Sequence, residues 1–247
     1  MTGEPLIETV AELGSTNAEM VARSKRTEPP REGTWLVADR QTAGKGRLGR
    51  DWQDGAGNFM GSTLVHLRPG DPPPQTLALV AALAAYDATA PLLSEPHRLM
   101  LKWPNDLLLD GAKLAGILLE STGRSVIIGI GVNLISAPNL PDRRTACLSD
   151  TGARVSRDDF ASMLAAQMRD ALTLWRDAGI EQVVARWETH GPATDARVRA
   201  EVPGQGAVDG IYSGLNREGA MLLRLEDGTM RVIHAGEVSL LGSEQGD

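Results

Sequence analysis

The spacing of apolar positions in the first half of the chain predicts an alternation of helices and buried strands. Residues 16–19 fit a capping box, because a glutamate follows a threonine by three positions, and predict a helix that runs to about residue 25. The segment GTWLVA at 33–38 predicts a buried strand, and NFMGSTLVHL at 58–67 predicts a second strand. An alanine-rich segment at 76–89 predicts a helix apolar enough to pack on a sheet.

The middle of the chain predicts a meander of three or four strands. Residues 99–103 and 106–109 have the length and composition of short strands. The pair Asp110-Gly111 is the strongest short hairpin signal, and it predicts a type I′ turn. Strands at 114–120 and 125–134 should follow and complete the sheet that carries the alanine-rich helix.

The last third of the chain changes its apolar period. A helix from 157 to about 178, capped by Ser156, and a shorter one at 181–190 precede Pro192. Beyond Pro192 the apolar residues change from a helical period of 3.6 to the strand period of 2, which predicts a small SH3-like barrel of five strands. These strands are expected at 196–202, 207–213, 219–225, 229–234 and 237–241. We therefore expect two domains, 1–192 and 193–247.

Charge and cysteine content narrow the class of protein. The 247-residue chain has a net charge of −7, and residues 193–247 contain five Arg and no Lys against nine acidic residues, so nucleic acid is not an expected partner. One cysteine, Cys147, excludes an internal disulfide and fits a reducing compartment. The longest apolar run, 77–86, is about half of a membrane span, and no signal peptide is visible. We expect a soluble, cytoplasmic protein.

Residues 43–52, called the basic loop below, are the first candidate for chemistry. Four basic residues and no acid lie between Arg40 and Arg50, and Gly44, Gly46 and Gly49 alternate with them. Such a loop should be loose when empty and fold over an anion. The bland alternative is a solvated surface loop. The G-x-G-x-x-G match lacks a following helix, and no Ser or Thr follows the Gly-Lys pair, so neither a dinucleotide nor a Walker site is expected.

Five short motifs and a matching C-terminal segment appear in order along the chain. They are Ser15-Thr16-Asn17, the basic loop AGKGRLGRDW, KWPND (102–106) with KLAG (113–116), GIGVN (129–133) and GEVSL (236–240). Together they resemble the biotin protein ligases over essentially the whole chain. The resemblance implies an α+β fold, with a mixed sheet like that of class II aminoacyl-tRNA synthetases followed by an SH3-like domain. It also implies two steps: Mg²⁺·ATP activates biotin to biotinyl-5′-AMP, and a lysine of the biotin carboxyl carrier domain of a carboxylase then takes the biotin.

The resemblance implies a role for each residue that matches a motif. Biotin contacts are implied for Ser15, Thr16, Asn17, Gln41, Lys45, Gly46, Arg47, Lys113 and Gly116. ATP contacts are implied for Arg50, Trp52, Asn105 and Asn133. Lys113 and Arg47 would meet the carboxylate and the adenylate, and Asp106 would accept the proton of the acceptor lysine; the Mg²⁺ ligands are not identified. Simple alternatives remain: helix capping for Ser15 or Thr16, ordinary core for Trp52 and a turn residue for Asp106.

The implied chemistry agrees with what the sequence contains. A carboxylate is already ionised at neutral pH, so the first step needs charge neutralisation and positioning rather than a general base. Three other functions stay open: a lipoate–protein ligase of the same fold, a nucleotide-binding oxidoreductase and a non-enzymatic biotin-binding regulator. Only 14 residues precede Ser15, so we expect a ligase without a DNA-binding domain, either monomeric or homodimeric.

Overall fold

The computed structural model describes residues 5–53 and 55–241, which form two sheets and four α-helices. The first sheet contains β1 (Ile7–Leu13), β2 (Trp35–Gln41), β3 (Phe59–His66), β4 (Leu99–Lys102), β5 (Asp106–Leu109), β6 (Ala112–Ser121) and β7 (Ser125–Val132). The helices are α1 (Thr16–Ser24), α2 (Leu77–Thr89), α3 (Arg157–Asp177) and α4 (Ile180–Glu188). The second sheet contains β8 (Arg197–Val202), β9 (Gly206–Leu215), β10 (Met221–Arg224), β11 (Met230–Ile233) and β12 (Glu237–Leu240).

The first sheet has the strand order β1-β2-β3-β7-β6-β5-β4, and only the β1–β2 pair is parallel. The predicted meander is confirmed as its four strands β4 to β7. Asp110 and Gly111 both have positive φ, 50° and 73°, as the predicted type I′ turn requires. The edge strand β1 was not predicted, because the apolar residues of its segment IETVAEL do not alternate with a period of 2 and the segment is half-exposed.

The start of α1 corrects the predicted capping box. Ser15, not Thr16, caps the helix, and its Oγ accepts a hydrogen bond from the amide of Ala18 at 3.5 Å. Thr16 is the first helical residue. Glu19 accepts a hydrogen bond from Arg23 Nε at 2.7 Å, one helical turn further on. Because Ser15 caps the helix, the side chain of Thr16 is available for other contacts.

Helices cover both faces of the first sheet. The almost fully buried α2 packs with α3 on one face, where Trp175 Nε1 donates to Thr76 Oγ1 at 2.8 Å. On the other face, Met20 of α1 lies in a small apolar cluster with Leu36, Leu64 and Ile127. Successive side chains of a strand point to opposite faces. Residues 129 and 131 of β7 therefore share the face that carries α1.

The second sheet is entirely antiparallel, in the order β11-β10-β9-β8-β12, and confirms the five predicted strands. Hydrogen bonds connect this part of the chain to the strands of the first sheet, for example from Trp103 Nε1, which follows β4, to the carbonyl of Gly219, which precedes β10, at 2.9 Å. The fold is therefore the α+β arrangement expected from the sequence. Among the helices of the described segments, none has the length and apolarity to cross a membrane.

Candidate active site

A cavity of about 740 Å³ opens on the α1 face of the first sheet and extends to β12 of the second. Every residue that the sequence assigned to the site lines it. They are Ser15, Thr16, Asn17, Gln41, Lys45, Gly46, Arg47, Arg50, Trp52, Asn105, Asp106, Lys113, Gly116 and Asn133. The motifs that are scattered along the chain therefore meet at one place.

Glycines form the floor of this cavity. A Cβ atom at Gly129 would lie 2.4 Å from Asn17 Oδ1, and one at Gly131 would lie 2.4 Å from the Trp52 ring. Gly116, the partner of Gly131 across the β6–β7 pair, also lies against that ring. These close approaches explain why the GIGVN and KLAG motifs need glycine. They also answer the open question about Trp52, which lies over the sheet in the cavity and is not a core residue.

One end of the cavity is neutral and rich in hydrogen-bonding groups. The amide of Thr16 donates a hydrogen bond to Gln41 Oε1 at 2.7 Å, and the hydroxyl Oγ1 of Thr16 donates to the same oxygen at 3.2 Å. Ser62 Oγ lies 2.8 Å from Thr16 Oγ1 and 2.7 Å from Asn17 Oδ1. Ser15, Thr16, Asn17, Gln41 and Ser62 are all buried. Such an end suits a compact ligand group that has both donors and acceptors.

The opposite part of the wall is cationic. Lys113 Nζ lies 2.7 Å from Asp106 Oδ1, and Lys102 Nζ lies 3.6 Å from Asp106 Oδ2. The Lys113 ammonium is also 6.0 Å from the centre of the Trp52 ring. Asp106 is buried at the start of β5, so it is not merely a turn residue. One carboxylate between two lysines leaves a net positive charge that suits a carboxylate or phosphate.

The basic loop lies across the cavity and contacts the second sheet. Arg47 donates to Asn105 Oδ1 at 2.8 Å and to the carbonyl of Gly236 at 3.5 Å, while Arg50 forms an ion pair with Glu237. Burial lowers the pKa of Arg47 below its usual value, and the nearby charges of Asp106 and Glu237 oppose that shift. An arginine remains protonated in any case. Lys45 is exposed on the loop.

Two asparagines also hold the local backbone in place. Asn105 Nδ2 donates to the carbonyl of Ile117 at 2.7 Å while its oxygen holds Arg47. Asn133 Nδ2 donates to the carbonyl of Ala146 at 3.1 Å. Both residues line the cavity and at the same time fix its shape.

The sequence did not identify every group in this site. Lys102 and Glu237 belong to motifs that were recognised, but neither received a role, because their contacts with Asp106 and Arg50 arise only in the folded chain. Ser62 was missed for the same reason and had no motif to indicate it. Within 5–53 and 55–241 there is no cluster of three or more His, Cys, Asp or Glu side chains that could hold a metal. Cys147 is buried and does not line the cavity.

Comparison with known proteins identifies the family. The profile of the Biotin/lipoate A/B protein ligase family matches residues 12–134, and that of the Biotin protein ligase C terminal domain matches residues 196–241. A biotin–[acetyl-CoA-carboxylase] ligase of Mycobacterium tuberculosis is 37% identical over 237 residues, which cover 94% of this chain and 88% of that protein. The chain is a member of the biotin protein ligase family.

Two further relatives of this ligase agree with the assignment. The biotin–[acetyl-CoA-carboxylase] ligase of Paracoccus denitrificans is 38% identical over 245 residues, which cover 93% of this chain and 98% of that one. The biotin protein ligase of Aquifex aeolicus, solved in complex with biotin and ATP, has a TM-score of 0.81 and 28% identity. That match covers 95% of this chain and 98% of the Aquifex chain. The ligase thus shares its fold with proteins of this family along nearly its whole length.

Proposed function

We propose that this ligase activates biotin with ATP to biotinyl-5′-AMP and then transfers biotin to a lysine of a biotin carboxyl carrier domain. One observation carries the proposal: a single cavity joins a neutral, hydrogen-bonding end to a cationic part. The neutral end suits the ureido ring of biotin, which has both donors and acceptors. The cationic part suits the carboxylate of biotin and the phosphates of ATP.

In the first step, a carboxylate oxygen of biotin forms a bond with the α-phosphorus of ATP, and the bond from that phosphorus to pyrophosphate breaks. No proton moves, because the attacking carboxylate is already ionised. Lys113 supplies positive charge to the carboxylate and to the phosphate oxygens as charge develops on them. Arg47 lies on the loop above and supplies a second cation that can bind two oxygens at once.

In the second step, the amine of the acceptor lysine attacks the acyl carbon, and AMP leaves with the electrons of the acyl–oxygen bond. The amine must lose a proton as the amide forms. Asp106 is the proposed acceptor of that proton, because it is the carboxylate that lies directly beside Lys113. Lys113 and Lys102 both contact Asp106, and its carboxylate becomes available once Lys113 turns to the adenylate.

The remaining residues are proposed to bind and orient the two substrates. Ser15, Thr16, Asn17, Gln41, Lys45, Gly46 and Gly116 would surround biotin. Arg50, Trp52, Asn105 and Asn133 would contact ATP. Mg²⁺ takes oxygen ligands and retains much of its water. It would therefore enter with the phosphates of ATP, because the described side chains provide no ready cluster of ligands for it.

Partners and compartment are proposed on the same basis. The single cysteine fits the cytoplasm, and the acidic net charge argues against a nucleic-acid partner. We propose residues 1–192 as the catalytic domain and 193–247 as the SH3-like domain. The expectation of a monomer or homodimer stays a prediction.

Lipoate is the alternative substrate, because the matching family profile includes lipoate ligases. The relatives and the solved structure named above are biotin enzymes, which favours biotin. The test is ATP–pyrophosphate exchange with biotin or lipoate as the only carboxylic acid. We expect exchange with biotin and none with lipoate at equal concentration. Exchange that depends on lipoate, or on neither acid, would contradict the proposal.

A further inference from the structure

Arg143 is a cation of the cavity wall that the two proposed steps do not use. It lines the cavity, and its side chain is 22% exposed. The guanidinium donates to the carboxylate of Asp142, from Nη2 at 2.6 Å and from Nε at 3.1 Å. That carboxylate belongs to the preceding residue and is 56% exposed, so the pair contributes little to stability. An anion in the cavity can therefore replace Asp142 as the partner of Arg143.

The segment that carries Arg143 is bonded to the cationic part of the cavity. The amide of Lys113 donates to the carbonyl of Arg144 at 2.9 Å, and the amide of Ala146 donates to the carbonyl of Lys113 at 2.9 Å. Thr145 thus pairs with Lys113 in a short parallel bridge. These bonds hold the segment at the start of β6, whereas the neutral end of the cavity lies at α1 and β2. Arg143 therefore belongs to the Lys113 side of the cavity.

Arg143 and Arg144 are adjacent but have different surroundings. The pKa of Arg143 is raised, first by its hydrogen bond with the preceding aspartate and further by the charges of Glu237 and Asp106. Both of these carboxylates line the cavity. Arg144 is exposed, is not part of the cavity lining, and its charge acts on Asp110 at the hairpin turn. Only the first of the two arginines is therefore directed to a ligand in the cavity.

The first proposed step separates its reactants along a line. The attacking and leaving oxygens lie roughly in line on either side of the phosphorus. The carboxylate of biotin arrives from the neutral end of the cavity, so pyrophosphate must leave on the opposite side, beyond Lys113. Pyrophosphate carries several negative charges, which fixed cations stabilise, and a guanidinium can bind two of its oxygens at once. The position and chemistry of Arg143 match this leaving group rather than biotin.

We propose that Arg143 binds the β- and γ-phosphates of ATP and holds pyrophosphate as it leaves. The inference rests on the proposed function, because it takes the formation of biotinyl-5′-AMP as the reaction of this cavity. Arg143 exchanges the carboxylate of Asp142 for phosphate oxygens, while Lys113 stays with the α-phosphate. Once pyrophosphate has left, Arg143 has no further part, so the transfer of biotin to the carrier should not depend on it.

The test runs the first step backwards and the second step forwards from the same purified intermediate, biotinyl-5′-AMP. In the reverse reaction an oxygen of pyrophosphate attacks the phosphorus of the adenylate, the bond from that phosphorus to the biotin carboxylate breaks, and ATP and biotin form. The rate of ATP formation is measured over a range of pyrophosphate concentrations. In the forward reaction the adenylate and a biotin carboxyl carrier domain are mixed without pyrophosphate, and the mass of the carrier is followed.

For Arg143→Met we expect the KM for pyrophosphate to rise about tenfold or more, because charge-assisted contacts are lost. The rate of transfer to the carrier should equal that of the wild type. Arg143→Lys keeps the charge without the planar fork and should show a smaller rise in the same KM. Arg144→Met is the matched control, since it removes the same charge at the adjacent, exposed position. Both of its reactions should equal those of the wild type.

An unchanged KM for pyrophosphate in an Arg143→Met protein that is folded by circular dichroism would overturn the inference and leave the proposed function intact. An equal rise in Arg144→Met would also overturn it, because loss of charge at either position would then account for the effect. If Arg143→Met does not fold, Arg143→Lys decides by the same criterion. A wild-type protein that forms no ATP from biotinyl-5′-AMP and pyrophosphate contradicts the proposed function itself, so the two failures are distinguishable.

Discussion

The ammonium of Lys113 lies 2.7 Å from the carboxylate of Asp106, although seven positions separate them and the Asp110-Gly111 turn reverses the chain between them. The hairpin of β5 and β6 thus places a cation and a possible proton acceptor side by side in the cavity. Lys102, on β4, contacts the other oxygen of the same carboxylate at 3.6 Å. When an anionic ligand attracts Lys113, Lys102 can remain as the partner of Asp106.

Lys113→Ala should reduce biotin-dependent ATP–pyrophosphate exchange by about 100-fold or more, because one preorganised cation in a closed site stabilises the transition state by several kcal/mol. The side chain is at the cavity wall, so the fold should remain. Lys25→Ala is the control, since that lysine is exposed at the end of α1. Near-normal exchange by a folded Lys113→Ala protein would remove Lys113 from the catalytic residues.

Arg47→Gly should release biotinyl-5′-AMP more readily than it slows its formation. Arg47 lies between the Asn105 side chain and the carbonyl of Gly236, above the cavity, where it can hold the adenylate. One charge-assisted contact is worth roughly 1.5–3 kcal/mol, which is about a ten- to hundred-fold change in retention. The assay mixes enzyme, biotin, Mg²⁺·ATP and an unrelated lysine-rich protein. We expect that bystander to become biotinylated by Arg47→Gly and not by the wild type.

If the bystander stays unlabelled while the adenylate accumulates on the Arg47→Gly enzyme, Arg47 is not the retaining group. Arg31→Gly is a suitable control, because Arg31 is an exposed arginine outside the cavity lining.

Tryptic cleavage within the basic loop should slow when biotin and ATP are both present. Three backbone bonds lie within the loop, from Gly46 to Arg50, from Arg50 to Arg47 and from Trp52 to Gly44, and Leu48 is 63% exposed. Ordering such a segment costs on the order of 1 kcal/mol per residue, so the empty loop should open readily. Cleavage after Arg26, which is exposed beyond α1, serves as the internal control and should not change. Equal rates in the loop with and without the ligands would contradict the prediction.

Arg176→Met should destabilise the fold by about 3 kcal/mol at neutral pH, because it leaves Glu32 without its main partner. Arg176 donates to both oxygens of Glu32, at 2.6 and 2.9 Å, and both side chains are largely buried. Burial raises the pKa of Glu32, but the hydrogen bonds and charge of Arg176 outweigh it and hold that pKa below its usual value. The pair therefore stabilises the fold above about pH 4.5, and this contribution is lost as the pH falls through the pKa of the folded protein.

Denaturant unfolding of wild type and Arg176→Met at several pH values measures this effect. The difference in unfolding free energy should be largest near pH 7 and shrink below pH ~4.5, where Glu32 becomes neutral. Arg169→Met, at a half-exposed position of the same helix, should change stability by no more than about 0.5 kcal/mol. A difference that is independent of pH would show that packing, rather than charge, dominates at Arg176.

The local signals in the sequence predicted most of the fold. Apolar runs and the Asp110-Gly111 turn located the strands of the meander, and the change of period located the second sheet. The edge strand β1 escaped because its neighbour β2, rather than its own pattern, holds it in the sheet. Thr16 was mistaken for the helix cap because Glu19 follows it by three positions, as a capping box requires, while Ser15 beside it is an equally good capping residue.

The site was predictable in its members but not in its connections. Every site residue that the family resemblance named lines the cavity, because close approach and charge restrict the residue types there. Long-range contacts leave no local pattern: Arg47 and Gly236 are 189 positions apart, and Asn17 and Glu120 are 103 apart. The two lysines around Asp106 and the contacts of Asn17 therefore required the structure.

The most direct test of this account is transfer of biotin to a purified biotin carboxyl carrier domain. The ligase, biotin, Mg²⁺·ATP and the carrier are incubated together, and intact-mass analysis is combined with measurement of AMP. A carrier whose acceptor lysine is changed to arginine is the control. We predict one biotinyl group on the acceptor lysine, one AMP for each biotin transferred and no modification of the control carrier. No transfer by the folded wild-type protein, or transfer without formation of AMP, would contradict the account.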